Sequence, residues 1–141
     1  EENAIDFSIQ FIDEKKIDKI NILNATHLAM HKSLDNLNTI PELILVDGNK
    51  FNPYYHNNEL IENICVIKGD LNYKSIACAS ILAKEYHDEY INKICSETIN
   101  YNNYDLLNNM GYGTKKHIEG INKYGLTDKH RKTFGICKQF N

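Results

Sequence analysis

Two short apolar runs, each closed by a glycine turn that carries an aspartate, restrict this chain more than any other feature. Leu43-Ile44-Leu45-Val46 ends in Asp47-Gly48-Asn49, and Ile64-Cys65-Val66-Ile67 ends in Lys68-Gly69-Asp70. Uninterrupted apolar runs without polar alternation suit parallel strands covered on both faces. The fifteen residues between Asp47 and Asn63 are enough for the crossover that parallel pairing requires. Both strands are therefore expected in one sheet. Asp47 and Asp70 then lie just beyond their carboxyl ends, where open α/β sheets place ligands.

The rest of the chain supplies layers for that sheet. Residues 4–12 alternate loosely, with Ile5, Phe7, Ile9 and Phe11 on one side, which predicts a peripheral or antiparallel half-buried strand. From Lys16, the stripe Ile20, Leu23, His27, Met30, Leu34 and Leu37 predicts an amphipathic helix to about Asn38, stopped by Pro41. A long helix is expected over 75–98 with Ile76, Ala79, Ala83, Tyr86, Tyr90 and Ile94 inward, followed by a polar loop over 101–109. Gly111-Tyr112-Gly113-Thr114 reads as a turn whose threonine caps a short basic helix to about Lys123. Tyr124-Gly125-Leu126-Thr127 repeats that logic before a last helix over 128–134. No internal repeat or domain-scale linker interrupts this order, so the 141 residues are expected to form one α/β domain with a basic helical extension at 111–141.

Charge is unevenly divided. Residues 1–110 carry 9 Lys and Arg against 17 Asp and Glu, whereas residues 111–141 carry 7 against 2. A basic module behind an acidic body suits a phosphate-rich partner, the cations holding the backbone and the carboxylates holding metal; a solvated surface helix would show the same asymmetry. No apolar run approaches the roughly 20 residues of a membrane span, and the start Glu1-Glu2-Asn3 is acidic, so a cytoplasmic protein with no membrane role is expected. Cys65, Cys78, Cys95 and Cys137 contain no C-x-x-C pair and are read as reduced, mostly core thiols.

Facing carboxylates at Asp47 and Asp70 would repel unless a hard cation with oxygen ligands, Mg²⁺ or Mn²⁺, lay between them. A metal-dependent phosphoryl transfer is one reading of that spacing; an ordinary turn and a helix cap is the other. His27 and His31 stand at i, i+4, but without the glutamate of a zincin motif they read as packed residues. Asp13-Glu14 and Asp88-Glu89 are explained by a helix start and by solvent exposure. Tyr112, held between two glycines and followed by Lys115, Lys116, His117, Lys129 and Arg131, reads either as an exposed platform for a sugar or base among phosphate contacts, or as a core tyrosine beside a basic surface.

The strings INILNATHLAM (20–30), LILVDGN (43–49), IKGD (67–70), SIACASILAKEYHDEYI (75–91), GYGTKKH (111–117) and YGLTDKHRKTF (124–134) resemble, in order, successive signatures of bacterial ribonuclease HII. The resemblance implies a ribonuclease H-like mixed β-sheet flanked by helices, with a helical basic C-terminal extension. It also implies a metal-dependent endonuclease that cuts the RNA strand of RNA–DNA hybrids and acts at ribonucleotides within duplex DNA. Asp47 and Asp70 match two of the family's metal-binding catalytic carboxylates, with Mn²⁺ or Mg²⁺ as cofactor. Tyr112 matches the ring stacked on the sugar beside the ribonucleotide. From the basic stretch itself, Thr114, Lys115, Lys116, His117, Lys129 and Arg131 are expected as accompanying substrate contacts, and no obligate protein partner is expected.

The family's first strand carries an adjacent Asp-Glu pair followed by a Gly-Arg-Gly loop that reads the 2′-hydroxyl, and no such string occurs in this sequence. Half of the implied carboxylates are thus expected to be missing, together with the first strand or strands. A non-catalytic binder of hybrid duplex stands as the alternative to the enzyme. A small-molecule phosphohydrolase would have little use for the basic tail.

Overall fold

The structure is a computed structural model that describes residues 4–140. Its residues gather into two compact units. One comprises the described part of Glu1–Ile12 together with Ile22–Ala83, and the other Asp13–Asn21 together with the described part of Lys84–Asn141. Helices α1 (Glu14–Asp35) and α3 (Lys74–Glu97) each contribute to both. The helical path of α1 is broken at Asn21, which has φ 65° and ψ 167°; asparagine enters positive φ more readily than most residues that bear a Cβ.

The first unit holds a mixed three-stranded sheet. Strand β1 (Leu43–Asp47) pairs in parallel with β3 (Glu59–Val66), Leu45 opposite Ile64 and Asp47 opposite Val66. The predicted parallel pair is present. The crossover contains a short strand that the apolar pattern does not announce, β2 (Tyr54–His56), antiparallel to β3. Asn57 and Asn58 join these two strands with φ of 49° and 67°, the positive pair that a two-residue type I′ hairpin needs and that asparagine tolerates. The sheet order is β1-β3-β2.

Ile44, Val46 and Tyr54 form the core of this unit, packed by Met30 and Leu34 from α1 and by Phe51, Ile61 and Cys65. The expectation that both strands are buried on two faces is corrected here: Ile44 and Val46 are buried, but Leu43 and Ile64 on the opposite face are 43% and 46% exposed. The apolar run identified a strand without showing how many layers cover it. His27 is buried edge-on to Phe51, as a packed histidine should be, and His31 lies edge-on to Phe51 and Tyr54. The Tyr54 hydroxyl donates to Asp35 at 3.0 Å.

Residues 4–12 form no ladder among the described residues. Alternation specifies a face and leaves the partner unspecified, so the expected strand does not follow from it. The segment is tied by Asp6, whose carboxylate accepts the N–H groups of Asn38 and Thr39 beyond the end of α1.

The second unit is helical. The 3₁₀ helix Ile99–Tyr104 and the short helix α4 (Leu106–Asn109) replace the expected polar loop. Far from being solvated, Tyr101, Tyr104 and Leu106 join Ile91, Ile94, Cys95, Ile121 and Cys137 in the core. Tyr101 and Tyr104 are three residues apart, the 3₁₀ repeat, and so share a face; the surrounding asparagines disguised this. Helix α5 (Lys115–Tyr124) begins where predicted, with the Thr114 side chain accepting the N–H of His117. Gly120 lets α5 approach closely: a Cβ there would sit 2.6 Å from the Asn103 carbonyl oxygen. Along α3, Ile76 and Ile94 are buried as predicted, whereas Ala79 and Ala83 are exposed.

The helix expected over 128–134 is absent. These residues form turns, followed by a 3₁₀ helix over Gly135–Phe140. The reason is a competing acceptor: the Asp18 carboxylate takes the N–H groups of Lys132 and Thr133 at 2.8 and 3.0 Å, and the Thr133 hydroxyl at 2.7 Å. Desolvation works to raise the pKa of Asp18, but these hydrogen bonds and the Arg131 charge hold it below the ordinary aspartate value.

Candidate metal and nucleic-acid sites

In the first unit, both predicted carboxylates stand at the carboxyl end of the parallel strand pair. Asp47 is the last residue of β1, and its Oδ1 accepts the N–H of Gly69 at 2.8 Å. Gly48 then donates its N–H to the Val66 carbonyl at 3.0 Å, continuing the ladder through the turn. Lys68 adopts left-handed backbone at φ 55° and turns the chain into α2 (Gly69–Asn72), whose first turn carries Asp70. The residue that fixes Asp47 thus directly precedes Asp70.

Gly69 is buried, and a Cβ on it would lie 2.6 Å from Ile76 Cδ1 and 3.5 Å from Asp47 Oδ1. A side chain at that position would crowd the wall behind the carboxylate.

Asp47 and Asp70 are exposed, and Asp47 keeps Oδ2 for another ligand. Exposed carboxylate oxygens suit a hard divalent cation such as Mg²⁺ or Mn²⁺, which retains several waters when few protein ligands are available. The donor set fits part of such a shell. Among the described residues, no group of three or more His, Cys, Asp or Glu side chains is arranged to hold a metal.

In the second unit, the Gly111-Tyr112-Gly113 turn is fixed through its backbone while its ring stays outside. The Asn109 side chain accepts the N–H of Gly111 at 2.9 Å, and the Asn109 carbonyl accepts the N–H of Tyr112 at 2.8 Å. The Tyr112 carbonyl accepts the N–H of Thr114 at 2.8 Å and lies 3.1 Å from His117 Nδ1. Gly111 has φ 82°, backbone that favours glycine. The Tyr112 side chain remains 75% exposed, so of the two readings of this ring the core one is excluded.

The other predicted contacts divide into surface and interior. Lys115 and Lys116 are exposed on the first turn of α5, with Glu119 and Asp105 as distant ion partners at 3.9 and 3.7 Å. Lys129 lies 5.9 Å from the centre of the Tyr90 ring, and a hydrogen bond to Tyr90 raises its pKa. The Arg131 guanidinium stacks 4.2 Å over Phe134. Thr114 serves as the helix cap. His117, expected among the contacts, is instead buried, with Nε2 3.1 Å from Nε2 of His130. His130 was not singled out, and its pairing with a residue thirteen positions away leaves no local pattern.

Two of the remaining acidic candidates have structural partners. Asp13 caps the start of α1 by accepting the N–H of Lys16 at 2.7 Å, and Asp88 is paired with Lys84 and His87 on α3.

A mixed α/β sheet with aspartates at the ends of adjacent parallel strands, accompanied by a basic helical C-terminal region, defines a ribonuclease H-like class of protein. The family model described as ribonuclease HII matches residues 1–137, and the chain belongs to that family. Curated relatives called ribonuclease HII include one from Christiangramia forsetii, 48% identical over 136 residues, covering 96% of this chain and 65% of the relative. Another, from Parabacteroides distasonis, is 47% identical over 139 residues, covering 99% of this chain and 66% of the relative. One from Caldicellulosiruptor bescii is 46% identical over 131 residues, covering 93% and 60% respectively. The chain therefore spans less than two thirds of the length of these relatives. No described helix is long and apolar enough to cross a membrane.

Proposed function

We propose that this protein acts in the hydrolysis of the RNA strand of RNA–DNA hybrids and at ribonucleotides embedded in duplex DNA, as a metal-dependent endonuclease of the cytoplasm. The observation that carries this reading is the Asp47–Gly69 hydrogen bond, which sets one carboxylate against the start of the helix that bears the other. Asp47 and Asp70 would hold Mn²⁺ or Mg²⁺, which supplies positive charge to the attacking water and to the scissile phosphate. Water attacks phosphorus, the 3′ oxygen leaves, and the product carries a 5′-phosphate. Tyr112 offers its ring to the sugar beside the ribonucleotide, and Lys115, Lys116, Lys129 and Arg131 hold backbone phosphates.

The test uses a DNA duplex with one ribonucleotide, Mn²⁺ or Mg²⁺, and two forms of the protein. One is this chain; the other carries the family-type Asp-Glu-x-Gly-Arg-Gly strand ahead of it. The extended form should cut 5′ to the ribonucleotide, and Asp47→Asn or Asp70→Asn should abolish cutting. Little or no cutting is expected from the unextended chain. Binding without cutting by both forms would favour the non-catalytic binder, and cutting that survives both substitutions would place the metal elsewhere.

A further inference from the structure

His117 and His130 occupy the interior of the second unit, face each other through Nε2 at 3.1 Å, and have no part in the chemistry proposed above. Their partners fix their tautomers. His130 Nδ1 accepts the Thr127 N–H at 3.0 Å and lies 2.8 Å from the Thr127 hydroxyl, so the proton of the neutral ring is on Nε2 and points at His117. His117 Nε2 must then accept, which leaves its proton on Nδ1, aimed at the Tyr112 carbonyl 3.1 Å away. A single directed chain results: Thr127 N–H to His130, His130 to His117, His117 to the backbone of Tyr112.

We propose that this histidine pair is a positioning relay for Tyr112, holding the turn that presents the ring to a ribonucleotide sugar. The proposal rests on the reading of Tyr112 as the sugar-facing ring. Both histidines are neutral in the relay, and every ring nitrogen is used. In this chain the only donor that reaches the Tyr112 carbonyl from the pair is His117 Nδ1, and His130 acts on it by fixing the proton of His117 away from Nε2.

The surroundings favour the neutral pair. Tyr104, from the 3₁₀ helix, packs edge-on to His130 and His117 with ring centres 4.9 and 6.1 Å away, and Tyr124 of α5 lies behind it. Burial, then the facing His117, push His130 down to about 4 against the opposing pull of Asp128; burial also lowers His117. Lys129 and Arg131 flank His130 in sequence, and Asp18 reaches the same loop from α1 through Lys132 and Thr133. Apart from Asp128, these neighbours give the imidazolium no evident carboxylate partner.

Two measurements on the whole chain test the relay. The first is the binding preference for a duplex with one ribonucleotide over all-DNA duplex, without divalent metal, at about pH 7.5. Losing the hydrogen bond to the Tyr112 carbonyl should lower the preference about three- to tenfold in His117→Leu. His130→Gln, whose amide can still donate to His117 Nε2, should retain the preference, and a parental preference in His117→Leu would overturn the relay.

The second measurement needs no nucleic acid. Long-range ¹H–¹⁵N spectra should show His117 protonated on Nδ1 and His130 on Nε2. The amide signals of Gly111, Tyr112 and Gly113 should shift in His117→Leu and keep close to their parental positions in His130→Gln. Other tautomers, or amide signals indifferent to His117→Leu, overturn the relay whether or not the duplex binds. The predicted spectra with no ribonucleotide preference in the parent would instead remove the Tyr112 reading and with it the purpose assigned to the relay.

Discussion

The Asp47 carboxylate and the Gly69 amide, twenty-two residues apart, are joined by a 2.8 Å hydrogen bond that links the end of one strand to the turn after its parallel neighbour. This bond orients Asp47 without metal and leaves Oδ2 as its free oxygen.

Divalent metal should accordingly bind weakly to this chain. Mg²⁺ prefers about six oxygens in near-octahedral geometry, and two aspartates leave most positions to water. Mn²⁺ titration followed by calorimetry or electron paramagnetic resonance should show weak binding that Asp47→Asn and Asp70→Asn each diminish. Tight binding indifferent to both substitutions would refute the assignment.

Two glycines should respond differently to alanine. In Gly120→Ala the methyl group meets the Asn103 carbonyl oxygen at 2.6 Å and Tyr104 Cα at 3.1 Å, backbone that cannot step aside cheaply. Helix propensity alone would favour alanine there by about 1 kcal/mol; overpacking should reverse the sign and destabilise by about 1–3 kcal/mol. In Gly69→Ala the closest atom is the end of the Ile76 side chain, so the loss should be smaller. Urea unfolding of the two variants decides, and a more stable Gly120→Ala would show that the contact is slack.

Affinity for duplex containing ribonucleotides should fall steeply with salt. Replacing Lys115, Lys116, Lys129 or Arg131 with alanine should each reduce the slope of log affinity against log salt by about one unit at most. A quadruple variant that binds with the parental salt dependence would remove these residues as phosphate contacts.

Stability should drop on mild acidification because of the buried histidines. The folded-state pKa of His130, about 4, lies below the unfolded value near 6.5. Between those limits the unfolded chain binds the extra proton, so stability is fully present above about pH 6.5 and declines as pH falls toward 4. The ceiling is about 3 kcal/mol. Denaturation midpoints across that range should show the decline in the parent and a shallower one in His130→Gln; equal slopes would mean that His130 titrates normally.

The sequence by itself determined the features that local pattern encodes. The runs at 43–46 and 64–67 identified the parallel strands and placed Asp47 and Asp70 at their ends, because an apolar stretch and its closing turn are contiguous in the chain. The threonine cap at 114 and the extent of α3 were legible for the same reason. Tertiary structure decided the rest. It buried Tyr101 and Tyr104, which lay within an asparagine-rich stretch; it used Asp18 to take N–H groups that the expected helix over 128–134 would otherwise have used; and it joined His117 to His130. Each of these depends on where a distant residue lies. Periodicity reports the face a residue takes within its own element, whereas the partner it meets is set by how elements pack, a distance in space that spacing along the chain does not contain.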